Sequence, residues 1–177
     1  RKIDVRARGV VQDIELVGRG SVTDQRTSDL WIYEGIDGRD YAVTGTWSAS
    51  GWAFFWDVTN PGAILKMDSI HVDARTVNDV KVAPNGRYAA LSREGTANRR
   101  DGPVLVDLAD PLNPVIASYI DDPHITGGVH NMFATNDYLF ALANGDKYVI
   151  FDVTDLSTPK FVSEYNHPNS RVHDVWV

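Results

Sequence analysis

A set of similar segments recurs along the sequence and limits the folds that the chain can adopt. The segments begin with SDLWIYEGIDG at Ser28, NDVKVAPNGRY at Asn78, HNMFATNDYLF at His130 and HDVWV at His173. The second residue of each is an acid or an amide, and these residues are Asp29, Asp79, Asn131 and Asp174, at spacings of 50, 52 and 43. A four-stranded propeller blade takes about 40 to 50 residues, so this period favours a β-propeller over a helical repeat.

The residues inside each repeat indicate short strands. In the third copy, the stretches MFA, YLFALA, YVIFDV and FVSEY are rich in aromatic and β-branched residues and are separated by turn signals. Asn144-Gly145-Asp146 and Pro84-Asn85-Gly86 predict tight hairpins, because glycine and asparagine tolerate positive φ. Two sets of residues recur at matching places: Tyr41, Tyr88 and Tyr138, and Asp57, Asp107 and Asp152. The sequence therefore predicts an all-β fold, a β-propeller of four-stranded antiparallel blades.

The repeats also predict how the chain is divided. We expect an N-terminal extension at 1–13 and a partial propeller at 14–177, with an outer strand at 14–18, blades at about 28–70, 78–120 and 129–165, and the inner strand of a next blade at 172–177. Four blades is about the smallest closed propeller, so the propeller is incomplete in this chain. Because open sheets leave strand edges free to pair, we expect further blades after Val177 in a parent protein.

Three stretches of the sequence resemble the LVIVD-repeat family of β-propellers. They are VLVDLADPLNPV at 104–115, YVIFDVTDLSTPKFV at 148–162 and, as a weaker copy that lacks the second proline, AFFWDVTNPGAIL at 53–65. The resemblance implies a propeller that is exported to the periplasm or the cell surface, usually without a known enzymatic activity. It implies no catalytic residues.

Composition and charge exclude several classes of function. The formal net charge is −7, so the chain has no basic field of the kind that binds nucleic acid. No apolar run approaches the roughly 18 residues that a transmembrane helix needs. The sequence has no cysteine, which excludes disulfides and thiolate metal sites.

The residues that open each repeat have two interpretations. A polar acceptor in every copy suits a structural role, because its side chain can bond backbone N–H groups where each blade begins. Alternatively, these residues ring the mouth of a central channel and bind a divalent cation, since imidazole and carboxylate together suit such metals. The candidate metal ligands are His130, His173, Asp79, Asn131 and Asp174.

Two loops on the same predicted face are candidates for binding a partner. The irregular loop SREGTANRRDG at 92–102 contains Arg93, Arg99 and Arg100 in an otherwise acidic chain. The corresponding loop of the first repeat places Trp47 and Trp52 near this face, where exposed tryptophans make good binding surfaces.

Two functions from different classes follow from these patterns. The first is a non-enzymatic, extracytoplasmic propeller that serves as a protein-interaction or scaffold module, as an accessory subunit of an envelope or membrane-attached complex. This hypothesis predicts no catalytic residue and no cofactor. The alternative is a metal-dependent hydrolase or lactonase with its ion at the channel mouth.

Overall fold

The computed structural model describes residues 15–22, 24–48, 51–97, 100–143, 145–166, 168 and 171–177. In these residues, twelve strands form three antiparallel sheets of four strands each, and within each sheet the strands lie in chain order. The strands of the first sheet are β1 (Thr27–Glu34), β2 (Asp40–Thr46), β3 (Trp52–Asp57) and β4 (Leu65–His71). Those of the second are β5 (Val80–Val82), β6 (Tyr88–Leu91), β7 (Val104–Asp107) and β8 (Val115–Tyr119). Those of the third are β9 (Val129–Ala134), β10 (Tyr138–Ala143), β11 (Lys147–Asp152) and β12 (Lys160–Asn166).

This architecture confirms the all-β prediction and its four-stranded antiparallel sheets. The described residues contain no α-helix, and a 3₁₀ helix at Pro123–Ile125 joins the second sheet to the third. No helix in the described part of the chain is long and apolar enough to cross a membrane.

The strand register reproduces the repeat residue by residue. The recurring tyrosines and aspartates pair across the second and third strands of each sheet, as Tyr41 with Asp57, Tyr88 with Asp107 and Tyr138 with Asp152. A register shift then recurs between the third and fourth strands, at Phe55/Trp56, Leu105/Val106 and Ile150/Phe151. A bulge bends its strand and increases the local twist, so all three sheets carry the same bend at the same place.

Each recurring aspartate begins the turn that follows the third strand. The Oδ1 atoms of Asp57, Asp107 and Asp152 accept hydrogen bonds from the backbone N–H two residues later, at 3.0, 2.8 and 2.9 Å. A second such bond follows in every copy, to the Oδ1 atoms of Asn60, Asp110 and Asp155. These Asx turns explain why the same residue types recur at matching places in the sequence.

The second sheet lies between the other two. Ala89 and Leu91 of β6 pack in the core that the second sheet shares with the first, whereas Tyr88 and Ala90 pack in the core shared with the third. Side chains alternate between the two faces of a strand, so a strand between two sheets is apolar at every position. The four residues of β6 are accordingly all buried.

The two predicted strands at the ends of the chain are not strands in the structure. Residues 15–18 belong to no strand, and Gly18 instead lies against the turn carbonyl of Pro61. Residues 172–177 are not a strand either, although the Val172 N–H donates to the Gly145 carbonyl at 2.9 Å. A strand needs a hydrogen-bonded neighbour, and no other strand in the described residues pairs with these segments. The predicted extension at 1–13, and Ile14, lie outside the described residues.

Candidate functional site

The residues that open the repeats form a row across the starts of the first strands. The Ser28 hydroxyl donates to the Asn78 carbonyl at 2.7 Å, and the Asn78 side-chain amide donates to the His130 carbonyl at 3.2 Å. The rings of His130 and His173 are edge to face, with centroids 4.9 Å apart. Equivalent residues of successive repeats therefore touch one another.

The acids that follow in each repeat connect one sheet to the next. Asp29 Oδ2 accepts from the Val80 N–H at 3.3 Å, and Asp79 Oδ2 accepts from the Met132 N–H at 2.6 Å. Both carboxylates thus bind the first strand of the following sheet at the same position. This geometry corresponds to the structural interpretation of these residues.

Lys81 joins these two carboxylates and was not predicted from the sequence. Its ammonium donates to Asp79 Oδ1 and, at 2.9 Å, to Asp29 Oδ2, and it lies 5.0 Å from the centroid of the Trp31 ring. Burial and the bond to Asp29 raise the pKa of Asp79 to about 7, although Lys81 acts in the opposite direction. Burial alone would raise the pKa of Asp29, but its bonds to Asp79 and Lys81 lower it. The only local signal for this cluster was a lysine within the apolar strand β5.

A cleft of about 470 Å³ opens beside the last members of the row. At its edge, His130 Nδ1 lies 2.6 Å from Glu94 Oε1, and both side chains are partly exposed. Glu94 lies in the loop after β6, which the Thr76–Glu94 bridge ties to the segment after β4. The sequence marked His130 as a candidate but not Glu94, because their contact joins residues 36 positions apart.

The lining of this cleft, which we call the mouth cleft, combines opposite charges with exposed backbone. Its residues are Glu94, Gly95, Asp101, Gly127, Gly128, His130, Leu142, Gly145, Arg171, Val172 and His173. A carboxylate at Nδ1 orients the His130 ring, and Nε2 is then the ring atom that can hold a metal or bond a ligand. Arg171 adds a fixed positive charge. The cleft can therefore hold a small polar ligand or the polar end of a larger one.

The structure separates the five candidate metal ligands. Only His130 and His173 line the mouth cleft. Asp79 is buried and engaged by Lys81 and Met132, so it is not free to hold an ion. Asp174 accepts from the Val175 N–H at 2.8 Å, and the Oδ1 of Asn131 is buried without a hydrogen-bond partner. Among the described residues, no three His, Asp or Glu side chains form a group suited to a metal ion.

The basic loop differs from its prediction at Arg93. This side chain is 1% exposed, donates to the Gly102 carbonyl and to Asp121, each at 2.5 Å, and lies 4.8 Å from the Tyr119 ring centroid. Arg93 is therefore a structural residue inside the molecule, out of reach of a partner, which corrects the prediction for it. Arg100 is exposed, and Arg99 lies outside the described residues.

The two candidate tryptophans lie in different surroundings. Trp47 is 46% exposed, and the Arg26 guanidinium is 5.6 Å from its ring centroid. Trp52 is the first residue of β3 and is half-buried, with its ring 4.9 Å from that of His71. Trp47 is thus accessible to a partner beside the loops, whereas Trp52 mainly packs on the sheet.

Comparisons with known proteins show the fold and no more. No family model matches the sequence, and no curated protein matches it. A protein of unknown function from Desulfotomaculum acetoxidans has a similar structure, with a TM-score of 0.60 and 14% identity over 83% of this chain and 44% of that one. A proposed 6-phosphogluconolactonase from Bacteroides uniformis matches with a TM-score of 0.66 and 16% identity, over 83% of this chain and 42% of that one.

The chain spans less than half the length of either structure. Identity at this level establishes a shared all-β fold but no shared activity. Membership of the LVIVD-repeat family therefore stays a prediction.

Proposed function

We propose that the chain is part of a non-enzymatic, extracytoplasmic β-propeller that serves as a protein-interaction or scaffold module in an envelope or membrane-attached complex. The observation that carries this proposal is the structural role of the repeated aspartates. Asp29 and Asp79 each bind the backbone of the following sheet, so these recurring residues hold sheets together. The location outside the cytoplasm rests on the family resemblance.

The partner binds on the face that carries the mouth cleft. Two features support this assignment: the cleft mixes charges of both signs, and the exposed Trp47 belongs to the corresponding loop of the first sheet. An exposed tryptophan and a charged cleft are typical of binding surfaces that have an aromatic anchor and a polar rim.

A site-specific crosslinking experiment tests the interaction module. A photoreactive amino acid replaces Trp47 in one variant and Val162, which is 50% exposed on β12, in a matched control. In cells of the natural source, we expect one partner to be crosslinked from position 47 and not from position 162. That partner, once purified, should bind the wild-type chain in calorimetry and bind His173→Ala at least tenfold more weakly. Equal crosslinking from both positions contradicts the assignment of this face.

A metal-dependent hydrolase or lactonase is the second candidate function. The pairing of Glu94 with His130, and the contact of His130 with His173, resemble a metal-binding histidine that is oriented by a carboxylate. One structural neighbour is, moreover, a proposed 6-phosphogluconolactonase.

The two functions are distinguished by metal content and turnover. The interaction module predicts no hydrolysis of 6-phosphogluconolactone above background with zinc, manganese or calcium present. Stoichiometric metal in the purified protein, together with a turnover that His130→Ala abolishes, would establish the hydrolase instead.

A further inference from the structure

We propose that the open face of the third sheet is the docking surface for a fourth four-stranded sheet, whose inner strand is residues 173–177. In this arrangement Asn131 Oδ1 accepts a hydrogen bond from the Val175 N–H. The inference rests on the proposed propeller architecture and assigns to Asn131 a role in holding sheets together.

The first interface between sheets defines the pattern. Three successive contacts connect β1 to the start of β5: Ser28 with the Asn78 carbonyl, Asp29 with the Val80 N–H, and Trp31 with the Lys81 ammonium. Numbered from the first residue of each repeat, positions 1, 2 and 4 of one sheet thus contact positions 1, 3 and 4 of the next.

The second interface repeats the first two of these contacts. Asn78 at position 1 donates to the carbonyl of His130, which is position 1 of the next repeat. Asp79 at position 2 accepts from the N–H of Met132, which is position 3. The acceptor at position 2 is therefore the recurring link between sheets.

Residues 173–177 already lie on β9 in the same register. His173 contacts His130, and Trp176 contacts Phe133 at a centroid distance of 5.0 Å, so positions 1 and 4 both meet their equivalents. The Tyr148 hydroxyl also donates to the Asp174 carbonyl at 3.0 Å. The segment lies against β9 as β5 lies against β1, although it does not form a strand.

The contact that is missing is the one at position 2. Asn131 Oδ1 is buried and has no hydrogen-bond partner, and the Val175 N–H donates instead to the adjacent Asp174 Oδ1. A buried acceptor without a donor is unfavourable, and the pattern of the other two interfaces identifies its donor as the Val175 N–H. Transfer of the Val175 N–H from Asp174 Oδ1 to Asn131 Oδ1 would complete the pattern.

We assign a fourth sheet to this face because it would continue the two interfaces that already join the three sheets. The third sheet presents to residues 173–177 the same kind of surface that the first presents to the second. The two similar structures are more than twice as long as the region matched, which leaves length in each for further sheets.

Amide hydrogen exchange followed by NMR tests the proposal on the 177-residue chain. We expect the Val175 amide to exchange at least tenfold more slowly in wild type than in Asn131→Leu, which is similar in size but lacks the acceptor. Asn131→Asp, which restores the acid of the first two repeats, should retain the slow exchange. The Val80 and Met132 amides serve as internal controls and should be unaffected by either change.

Three results would contradict the proposal. Equal exchange of Val175 in wild type and Asn131→Leu, with Val80 and Met132 protected, removes the fourth-sheet link but leaves the three-sheet architecture intact. If the Val80 and Met132 amides are also not protected from exchange, the result would instead overturn the propeller proposal. Protection of Leu30 rather than Val175, in a dimer detected by light scattering, would assign this face to the first sheet of a second copy.

Discussion

At the scale of single residues, Asp29, Asp79 and Lys81 form a charged cluster in which Asp79 and Lys81 are buried and Asp29 is partly exposed. One ammonium lies between two carboxylates, and Asp79 is 3% exposed. Such a group stabilises a fold only while all its members are present, because removing one leaves a buried charge without compensation.

Substitution of the lysine tests this balance. At pH 8, where both carboxyl groups are ionised, Lys81→Met should lower the free energy of unfolding by about 3–5 kcal/mol, because two neighbouring carboxylates then lose their shared counterion. Lys160→Met, at an exposed position on β12, should change it by less than about 0.5 kcal/mol. Urea unfolding of the two variants measures the difference, and equal effects would contradict the role given to Lys81.

The raised pKa of Asp79 predicts a dependence of stability on pH. Asp79 in the folded chain has a pKa of about 7 and keeps its proton up to that pH, whereas the usual pKa of an aspartate is 3.8. Between these values the folded state binds more protons, so the free energy of unfolding falls as pH rises.

Urea unfolding between pH 5 and pH 8 tests this dependence. Wild type should lose stability across this range, and Asp79→Asn should show a flatter profile because position 79 no longer titrates. The other aspartates with shifted pKa values, including Asp57 and Asp152, have values below 3.8 and act at lower pH. Identical profiles for the two proteins would show that Asp79 titrates normally.

At the scale of single elements, the central strands differ from the outer ones in what surrounds them. β6 and the first three residues of β7 are buried, whereas all seven residues of β12 are exposed. β12 therefore contributes hydrogen bonds but little buried apolar area.

Two side-chain truncations, one in β7 and one in β12, measure this difference. Leu105→Ala in β7 should cost about 2–5 kcal/mol of unfolding free energy, because Leu105 is fully buried between the second and third sheets. Val162→Ala in β12 should cost less than about 0.5 kcal/mol, since half of that side chain is already exposed. Thermal or urea unfolding would contradict this account if the two costs were similar.

At the scale of the whole molecule, the second of the three described sheets packs against a neighbouring sheet on both of its faces, and the first and third do so on one. Protection from hydrogen exchange should therefore be highest in β6 and β7 and lowest in β12, since exchange follows the cost of local opening. Mass spectrometry of peptides from each strand measures this gradient. Uniform protection would indicate instead that the three sheets open as a single unit.

The sequence by itself determined the all-β class, the four-stranded units and the turns that begin at Asp57, Asp107 and Asp152. These features were predictable because strand periodicity and Asx turns depend on residues one or two positions apart. At the ends of the chain, the same patterns predicted strands at 14–18 and 172–177, and the described residues of these segments, 15–18 and 172–177, belong to no strand. A local pattern marks a segment that can pair, but a partner must also be present.

Only the tertiary structure decided the roles of the charged residues. Arg93 was predicted to lie on a surface but is buried. Its partner Asp121 lies 28 residues away along the chain, so the sequence around Arg93 does not indicate this contact. Glu94 joins His130 across 36 residues, and Asp79 joins Met132 across 53. Folding of the second sheet brings Arg93 to Asp121, and packing of the second sheet on the third creates the other two contacts, so no local pattern in the sequence indicates them.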